Sequence, residues 1–218
     1  MNPVIVAIDG EASTGKSTQA KKIAQELGFD YRDSGAYYRA LTLYLIQNNI
    51  NSNEDISQTI LDKIDLKQTF KDNKLIIYLN NEDVSDKIRG YKVSINVSSY
   101  AKKSEIRNFV YTQLRKSAKS NSLVIDGRDI GTVVFPDADF KFFLFADSKV
   151  RAERRHKQIN DKSVKLESIE KEIKTRDNTD STRKIAPLKK ADDAYEIDVT
   201  SLSIIQVFDK ILQKINSK

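Results

Sequence analysis

Gly10, Gly15, Lys16 and Ser17 stand at the fixed positions of G-x-x-x-x-G-K-[ST]. At that spacing successive backbone N–H groups curl around the phosphate oxygens of a nucleotide, and glycine serves where the turn needs positive φ or a close approach. The Lys16 ammonium then reaches the β- and γ-phosphates, and the Ser17 hydroxyl is placed to ligate Mg²⁺. The run Gly10-Glu11-Ala12-Ser13-Thr14-Gly15-Lys16-Ser17-Thr18 is therefore a candidate cradle for a triphosphate. An ordinary glycine-rich turn would require neither a strand before it nor a helix after it.

Other residues offer chemistry at a distance along the chain. Asp126 closes the apolar run Leu123-Val124-Ile125, so Asp126-Gly127-Arg128-Asp129 falls at a strand's carboxyl end, where doubly wound folds bind ligands. Asp126 is a candidate to hold Mg²⁺ through its hydration shell, with an Asp-Gly turn as the plainer alternative. Arg151 and Arg155, four apart, share a face on a helix. Two aligned guanidinium groups can close over a polyphosphate, and a charged run such as 149–157 can equally be a solvated face. Arg39, one turn into a helix after Asp33-Ser34-Gly35, has the same two readings. The chain has no cysteine and one histidine, which excludes thiolate metal sites and disulfides and leaves no second histidine for a zinc site or an alternative triad. His156 itself sits among charged residues and reads as solvated.

These residues need a scaffold, and apolar spacing supplies it. Residues 4–8 form a β-branched run too short for a helix, and Ala20, Ile23, Ala24 and Leu27 give the next segment an apolar helical face whose positive end points at the loop. Gly28 ends that helix, and 29–31 read as a short extended piece. Residues 36–47 recur at helical spacing. Ile56, Ile60, Leu61 and Ile64 predict another amphipathic helix. Lys74-Leu75-Ile76-Ile77-Tyr78-Leu79, between the turn formers Asp72-Asn73 and Asn80-Asn81, predicts a small antiparallel insert. Residues 93–116 return to helical character and carry Ser98, Arg107 and Arg115, and 140–145 form a third core strand. A helix over 149–157, a polar turn at 160–163 and a helix from about Leu166 make a hairpin able to move as a lid. Residues 195–199 form the last strand. Ser203 with Gln206 forms a capping box, and Ile204, Ile205, Val207, Phe208, Ile211, Leu212 and Ile215 give the final helix a broad apolar face. Alternating strands and helices argue an α/β fold with a mostly parallel sheet.

Composition bounds the reading without deciding it. With 218 residues, 39% of them hydrophobic, the chain can bury a core as one domain. No apolar stretch reaches membrane-spanning length and no leader follows Met1, so a soluble cytoplasmic protein with no membrane partner is expected. The net charge of +6 suits nucleic acid or small polyanions equally. A nucleic-acid-binding module would interleave exposed aromatics with Lys and Arg, whereas the aromatics here fall in apolar strands and helix faces.

Four motifs together carry a resemblance: Ile8-Asp9-Gly10 with the phosphate loop, Asp33-Ser34-Gly35-Ala36-Tyr37-Tyr38-Arg39, D-G-R-D-I-G-T-V-V-F-P from Asp126 to Pro136, and Arg176-Asp177 through Pro187-Leu188. The chain resembles the bacterial cytidylate kinases, nucleoside monophosphate kinases, over nearly its whole length. The resemblance implies a P-loop NTPase-type parallel sheet flanked by helices, an NMP-binding insert over about 35–105 with a short antiparallel sheet, and a helical lid over about 150–185, all in one kinase domain 1–218. It implies ATP and Mg²⁺, with CMP or dCMP as acceptor and a monomer as the working form. Lys16, Arg128, Arg155 and Arg176 would be catalytic. Arg39, with Tyr38 beside it, and Arg128 would meet the acceptor phosphate, Ser34, Arg107 and Asp129 the cytosine edge, Arg176 and Asp180 the sugar with Ser98 nearby, while Arg183 closes over the acceptor. Arg151 and Arg155 match lid arginines that meet ATP. Glu11 and Thr14 stand where the family often has proline and small residues, so the Glu11 side chain should point outward. Asn178 and Thr179 replace charged residues common in the lid. A kinase of another small acceptor, UMP or a non-nucleotide, is the nearest alternative, and an acid at Asp129 disfavours uracil.

Overall fold

The computed structural model describes residues 3–71, 74–159 and 164–217. The expected turns at Asp72-Asn73 and 160–163 lie outside them. β1 (Ile5–Gly10) is buried at every position and runs into the loop before α1 (Lys16–Leu27). β2 (Asp30–Asp33) and α2 (Ser34–Gln47) follow, then a one-turn α3 (Gln58–Leu61). β3 (Leu66–Lys71), β4 (Lys74–Leu79) and β5 (Glu82–Asp83) build the insert, ahead of α4 (Tyr91–Tyr100) and α5 (Ser104–Ser117). β6 (Leu123–Gly127), a π-helical turn (Ile130–Val134), β7 (Phe140–Phe145), α6 (Ser148–Ile159), α7 (Leu166–Thr182), β8 (Tyr195–Asp198) and α8 (Ile204–Asn216) complete the chain.

The main sheet has the order β2-β6-β1-β7-β8 with all pairings parallel. Its central strands are long apolar runs because helices cover both faces. Side-chain alternation along β1 sends Ile5 and Ala7 to the α2–α5 side, and Val6 and Ile8 to the α1–α8 side. From β1 the chain crosses to β2, returns to β6 beside β1, and then crosses to β7 on the other side. This reversal opens a crevice at the strands' carboxyl ends, where the order switches. β3-β4-β5 form a separate antiparallel sheet, as the strand-like run 74–79 between turn formers predicts.

Three expectations change. The predicted helix around 56–64 is a single turn, Gln58–Leu61, and ahead of it Asn51 and Glu54 bond each other and Asn49 takes φ 57, local bonds that compete with helix in that approach. The stretch 93–116 is two helices broken at 101–103. On α8, Val207 and Ile211 are buried, but Ile204 and Ile205 are exposed; they precede the first full turn that meets the sheet. The capping box of Ser203 and Gln206 is present.

Candidate active site

The loop after β1 has its geometry set by two glycines. Gly10 has φ 145, and a Cβ there would lie 1.9 Å from the Leu144 carbonyl oxygen of β7. Gly15 has φ 90 and stands at the N-cap of α1, so the first N–H groups of that helix face the loop. Lys16 is buried, and its Nζ donates to the Glu11 carbonyl and to Thr14 Oγ1 at 3.3 Å. Burial and then the neighbouring Arg128 pull its pKa well below the usual lysine value. The Glu11 carboxylate turns away, accepting from Ala146 N–H at 3.3 Å.

The loop floors a cleft of about 720 Å³, within the range of small-molecule sites. Along it lie residues 12–18, Ser34, Tyr38, Arg39, Ser98, Asp126, Arg128, Asp129, Arg155, Arg176, Asp180 and Arg183. The expected site residues therefore converge from six separate elements. Gly10, Glu11, Arg107 and Arg151 do not line it.

At the metal-like corner Ser17 Oγ donates to Asp126 Oδ2 at 2.7 Å and Tyr31 OH donates to Asp126 Oδ1 at 2.6 Å. Burial, and then Asp33, raise Asp126 to about 6. Ser34 donates to the Asp126 backbone carbonyl at 2.8 Å, which ties the start of α2 to the end of β6. A Cβ on Gly127 would lie 2.6 Å from Ser34 Oγ.

At the opposite end the guanidinium groups crowd. Arg128 Nε lies 3.0 Å from Asp180 Oδ2, and Arg183 Nη1 lies 3.4 Å from Asp180 Oδ1. Arg39 Nη1 donates to Ser94 Oγ at 3.0 Å and to the Ile88 carbonyl at 3.3 Å. Arg176, one helical turn before Asp180 on α7, has a buried Nε without a hydrogen-bond partner among the described residues, as does Nη2 of Arg183. Burial, and then Arg128, lower Arg176 to about 10. Arg39 is likewise lowered, by burial and by Arg155, Arg89 and Arg128, with Asp33 opposing. Cations held close together with unspent donors form a receptor for a polyanion.

Arg107, expected at the cytosine edge, pairs with Asp129. Its side chain is buried, with Nη2 2.6 Å from Asp129 Oδ2, Nε donating to Tyr111 OH and Nη1 to the Ala101 carbonyl. Of these partners Asp129 and Ala101 line the cleft. Arg151, expected to meet ATP, shares the α6 helix with Arg155, is buried and bonds Ala146, Ala12 and Asp177. Only Arg155 of the pair faces the cleft. Sequence reasoning missed Tyr31, Tyr111, Asp9 and Asp177. It also gave no site role to Gln19, Arg154, Leu202 and Ile204, which line the cleft beyond the phosphate loop; there Gln19 Nε2 donates to the Ile204 carbonyl and Arg154 Nη2 to the Val199 carbonyl.

Comparison with known proteins agrees with this geometry. A family model described as cytidylate kinase matches residues 6–217. A cytidylate kinase of Clostridium tetani is 49% identical over 98% of this chain and 94% of its own. One from Thermosipho melanesiensis is 44% identical over 99% and 98%. A solved structure of an uncharacterized protein from Eubacterium ventriosum, 15% identical, covers both chains fully at a TM-score of 0.55, a likeness of fold alone. A phosphate loop, an arginine cluster and an acid at the base of one cleft thus sit on a chain that belongs to the cytidylate kinase family.

Proposed function

We propose that this chain transfers the γ-phosphoryl group of ATP to CMP or dCMP, giving CDP or dCDP. The observation that carries the reading is one cleft lined by Lys16 and the loop, by five arginines (Arg39, Arg128, Arg155, Arg176 and Arg183) and by Asp129. In-line transfer asks for positioning and charge neutralisation rather than a protein nucleophile, and this site offers cations without a cysteine or a catalytic histidine.

ATP takes the loop from Gly10 to Thr18, with backbone N–H groups on its phosphates and Lys16 released from the Glu11 carbonyl to the transferring group. The acceptor phosphate lies between Arg39 and Arg128, beside Tyr38, with Arg155 and Arg176 between the two nucleotides to neutralise the charge that builds as the phosphoryl group moves. Asp180 and Arg176 hold the sugar near Ser98, and Arg183 closes over the acceptor. Asp129, held by Arg107 and Tyr111, accepts from the cytosine amino group, with Ser34 beside it.

Ser17 and Asp126 suit Mg²⁺: they are hard oxygen ligands already in contact, and among the described residues no cluster of three His, Cys, Asp or Glu side chains competes for another metal. An ion bound by so few protein oxygens takes its remaining ligands from water and phosphate, the usual habit of magnesium. When bound it supplies charge neutralisation at the β- and γ-oxygens.

The chain then works as one kinase domain, with an acceptor-binding insert over about 35–105 and a lid over about 150–185, as a monomer in the cytoplasm. Among the described residues no helix is long and apolar enough to cross a membrane. One coupled assay tests the activity: Mg-ATP with CMP, dCMP, UMP, AMP or shikimate in parallel, reading ADP. Turnover should be highest with CMP or dCMP, and none with either removes the proposal.

A further inference from the structure

The first turn of the phosphate loop is gripped from outside by side chains that the transfer itself does not use. Ala12 donates its N–H to Asp177 Oδ1 at 2.9 Å, and its carbonyl accepts from Arg151 Nη1 at 3.1 Å. Arg151 and Asp177 pair with each other, so one peptide residue and two side chains close a ring that joins α6 and α7 to the loop. Arg151 Nε donates to the Ala146 carbonyl at 2.8 Å, and Nη2 lies 3.4 Å from Glu11 Oε2. The Glu11 carboxylate in turn accepts from Ala146 N–H. The guanidinium thus bridges the end of β7, the start of the loop and α7, with its side chain only 5% exposed.

Between β1 and α1 the loop is tied at its ends, where Glu11 N–H donates to the Leu144 carbonyl at 3.2 Å and the Gly15 carbonyl accepts from Gln19 N–H at 3.0 Å, and between these ends Ser13 sits at φ 60. A binding surface made of backbone N–H groups works best when those groups are fixed before the anion arrives, since ordering them on binding subtracts from affinity. The Arg151–Asp177 ring supplies that fixing at Ala12, and Glu11 adds a second anchor through Ala146 and Arg151.

We propose that Arg151 and Asp177 are positioning residues for the donor subsite: they brace the Ala12 peptide as a unit, and Arg151 acts on ATP through that brace without touching the nucleotide. The proposal rests on the kinase reading above. Because the two charges are buried against each other, removing either one leaves the other uncompensated. Loss of one member should therefore cost nearly as much as loss of both.

A double-mutant cycle tests this. Calorimetric binding of ATP and, separately, of CMP is measured in wild type, Arg151→Ala, Asp177→Ala and the double variant, with thermal unfolding of each. Each single substitution should weaken ATP about tenfold and leave CMP within about twofold, and the double variant should lie within about threefold of the weaker single. A double variant weakened by the product of the two, about a hundredfold, would show that Arg151 meets the nucleotide independently of Asp177 and would overturn the brace. Unchanged ATP binding, or equal loss of CMP, would overturn it too. Should an alanine variant fail to fold, Arg151→Lys and Asp177→Asn run the same cycle with the same criteria. A wild-type protein that binds neither nucleotide would instead remove the kinase reading, a failure visible before any substitution is made.

Discussion

Asp129 shows how far a single residue depends on neighbours distant in sequence. Arg107 and Tyr111 both bond its Oδ2 at 2.6 Å, while Oδ1 has Arg183 Nη2 at 3.7 Å, beyond hydrogen-bond reach. One oxygen is fixed by the protein, and the other is the one that the proposed function gives to the base. Replacing the acid with alanine would strand the buried Arg107 charge, so Asp129→Asn is the informative change: it keeps the shape and gives the site an amide that can donate to the uracil oxygen. The ratio of kcat/KM for CMP over UMP should fall by roughly 1 to 3 kcal/mol, about 5- to 150-fold, the scale of one base-edge contact. A ratio unchanged by the substitution would assign cytosine selection elsewhere. Lys16→Met should abolish transfer while thermal unfolding stays near that of wild type, because the ammonium bonds only loop oxygens and packs against no core cluster; near-normal turnover would remove the loop from the mechanism. At this scale the sequence was readable where chemistry is local, as in the four fixed positions of the loop. It was silent where partners are far apart. Tyr31 is 95 residues from Asp126 and Ala12 is 165 from Asp177, and no spacing rule reaches across such gaps. For the same reason the pairing of Arg107 with Asp129 and of Arg151 with Asp177 could not be read from spacing.

Among the elements, the most demanding junction is β1 to α1, where Gly10 sits at positive φ against the backbone of β7. Gly10→Ala must move one of two strands in the centre of the sheet. A strained backbone position of this kind costs of order 1–3 kcal/mol, which for a chain of this size lowers Tm by about 2–9 °C, and ATP affinity should fall with it as the loop shifts. An unchanged Tm would show that the loop absorbs the methyl group without strain. Elements with a strong apolar period were legible: β1, β6, β7, α1 and the insert strand β4 lie close to their predicted bounds. The short turn α3 was overcalled because four isoleucines and leucines at helical spacing also fit a loop that dips repeatedly into the core, with Ile56, Leu61 and Ile64 all buried. α7 shows the opposite case. Its polar run through Arg176, Asp177 and Asp180 has little apolar signal, yet it remains helical to Thr182, and this turns Arg176 and Asp180, four apart, toward the same cleft.

Across the whole molecule, Asp9 joins the two halves of the cleft. It lies beside Gly10 on β1, and its oxygens accept from Ile130 N–H at 2.9 Å and Gly131 N–H at 2.7 Å, the turn that follows Arg128 and Asp129. Burial raises its pKa from 3.8 to about 7, against the pull of those two backbone bonds. The folded state therefore holds a proton that the unfolded chain releases between about pH 4 and 7, and this contribution to stability is lost as pH rises through that window. Relative to Asp9→Asn, wild type should lose about 2 kcal/mol of unfolding free energy between pH 5 and pH 7, since one titrating group gives at most about 1.4 kcal/mol per pH unit. A difference constant with pH would show that Asp9 stays ionised when folded. The fold class and the convergence of loop, acid and arginines were legible because strand–helix alternation fixes a parallel sheet whose carboxyl ends gather those motifs. The part of the cleft beyond the phosphate loop was not, since Gln19, Arg154 and the carbonyls they hold carry no motif. What remains central is that one cleft passes a phosphoryl group from ATP to a cytidine monophosphate, and following the label from γ-phosphate-labelled ATP with CMP and Mg²⁺ measures that step most directly: the label should appear in CDP in equal amount to the ADP formed, whereas label released as free phosphate, or no labelled CDP at all, would contradict it.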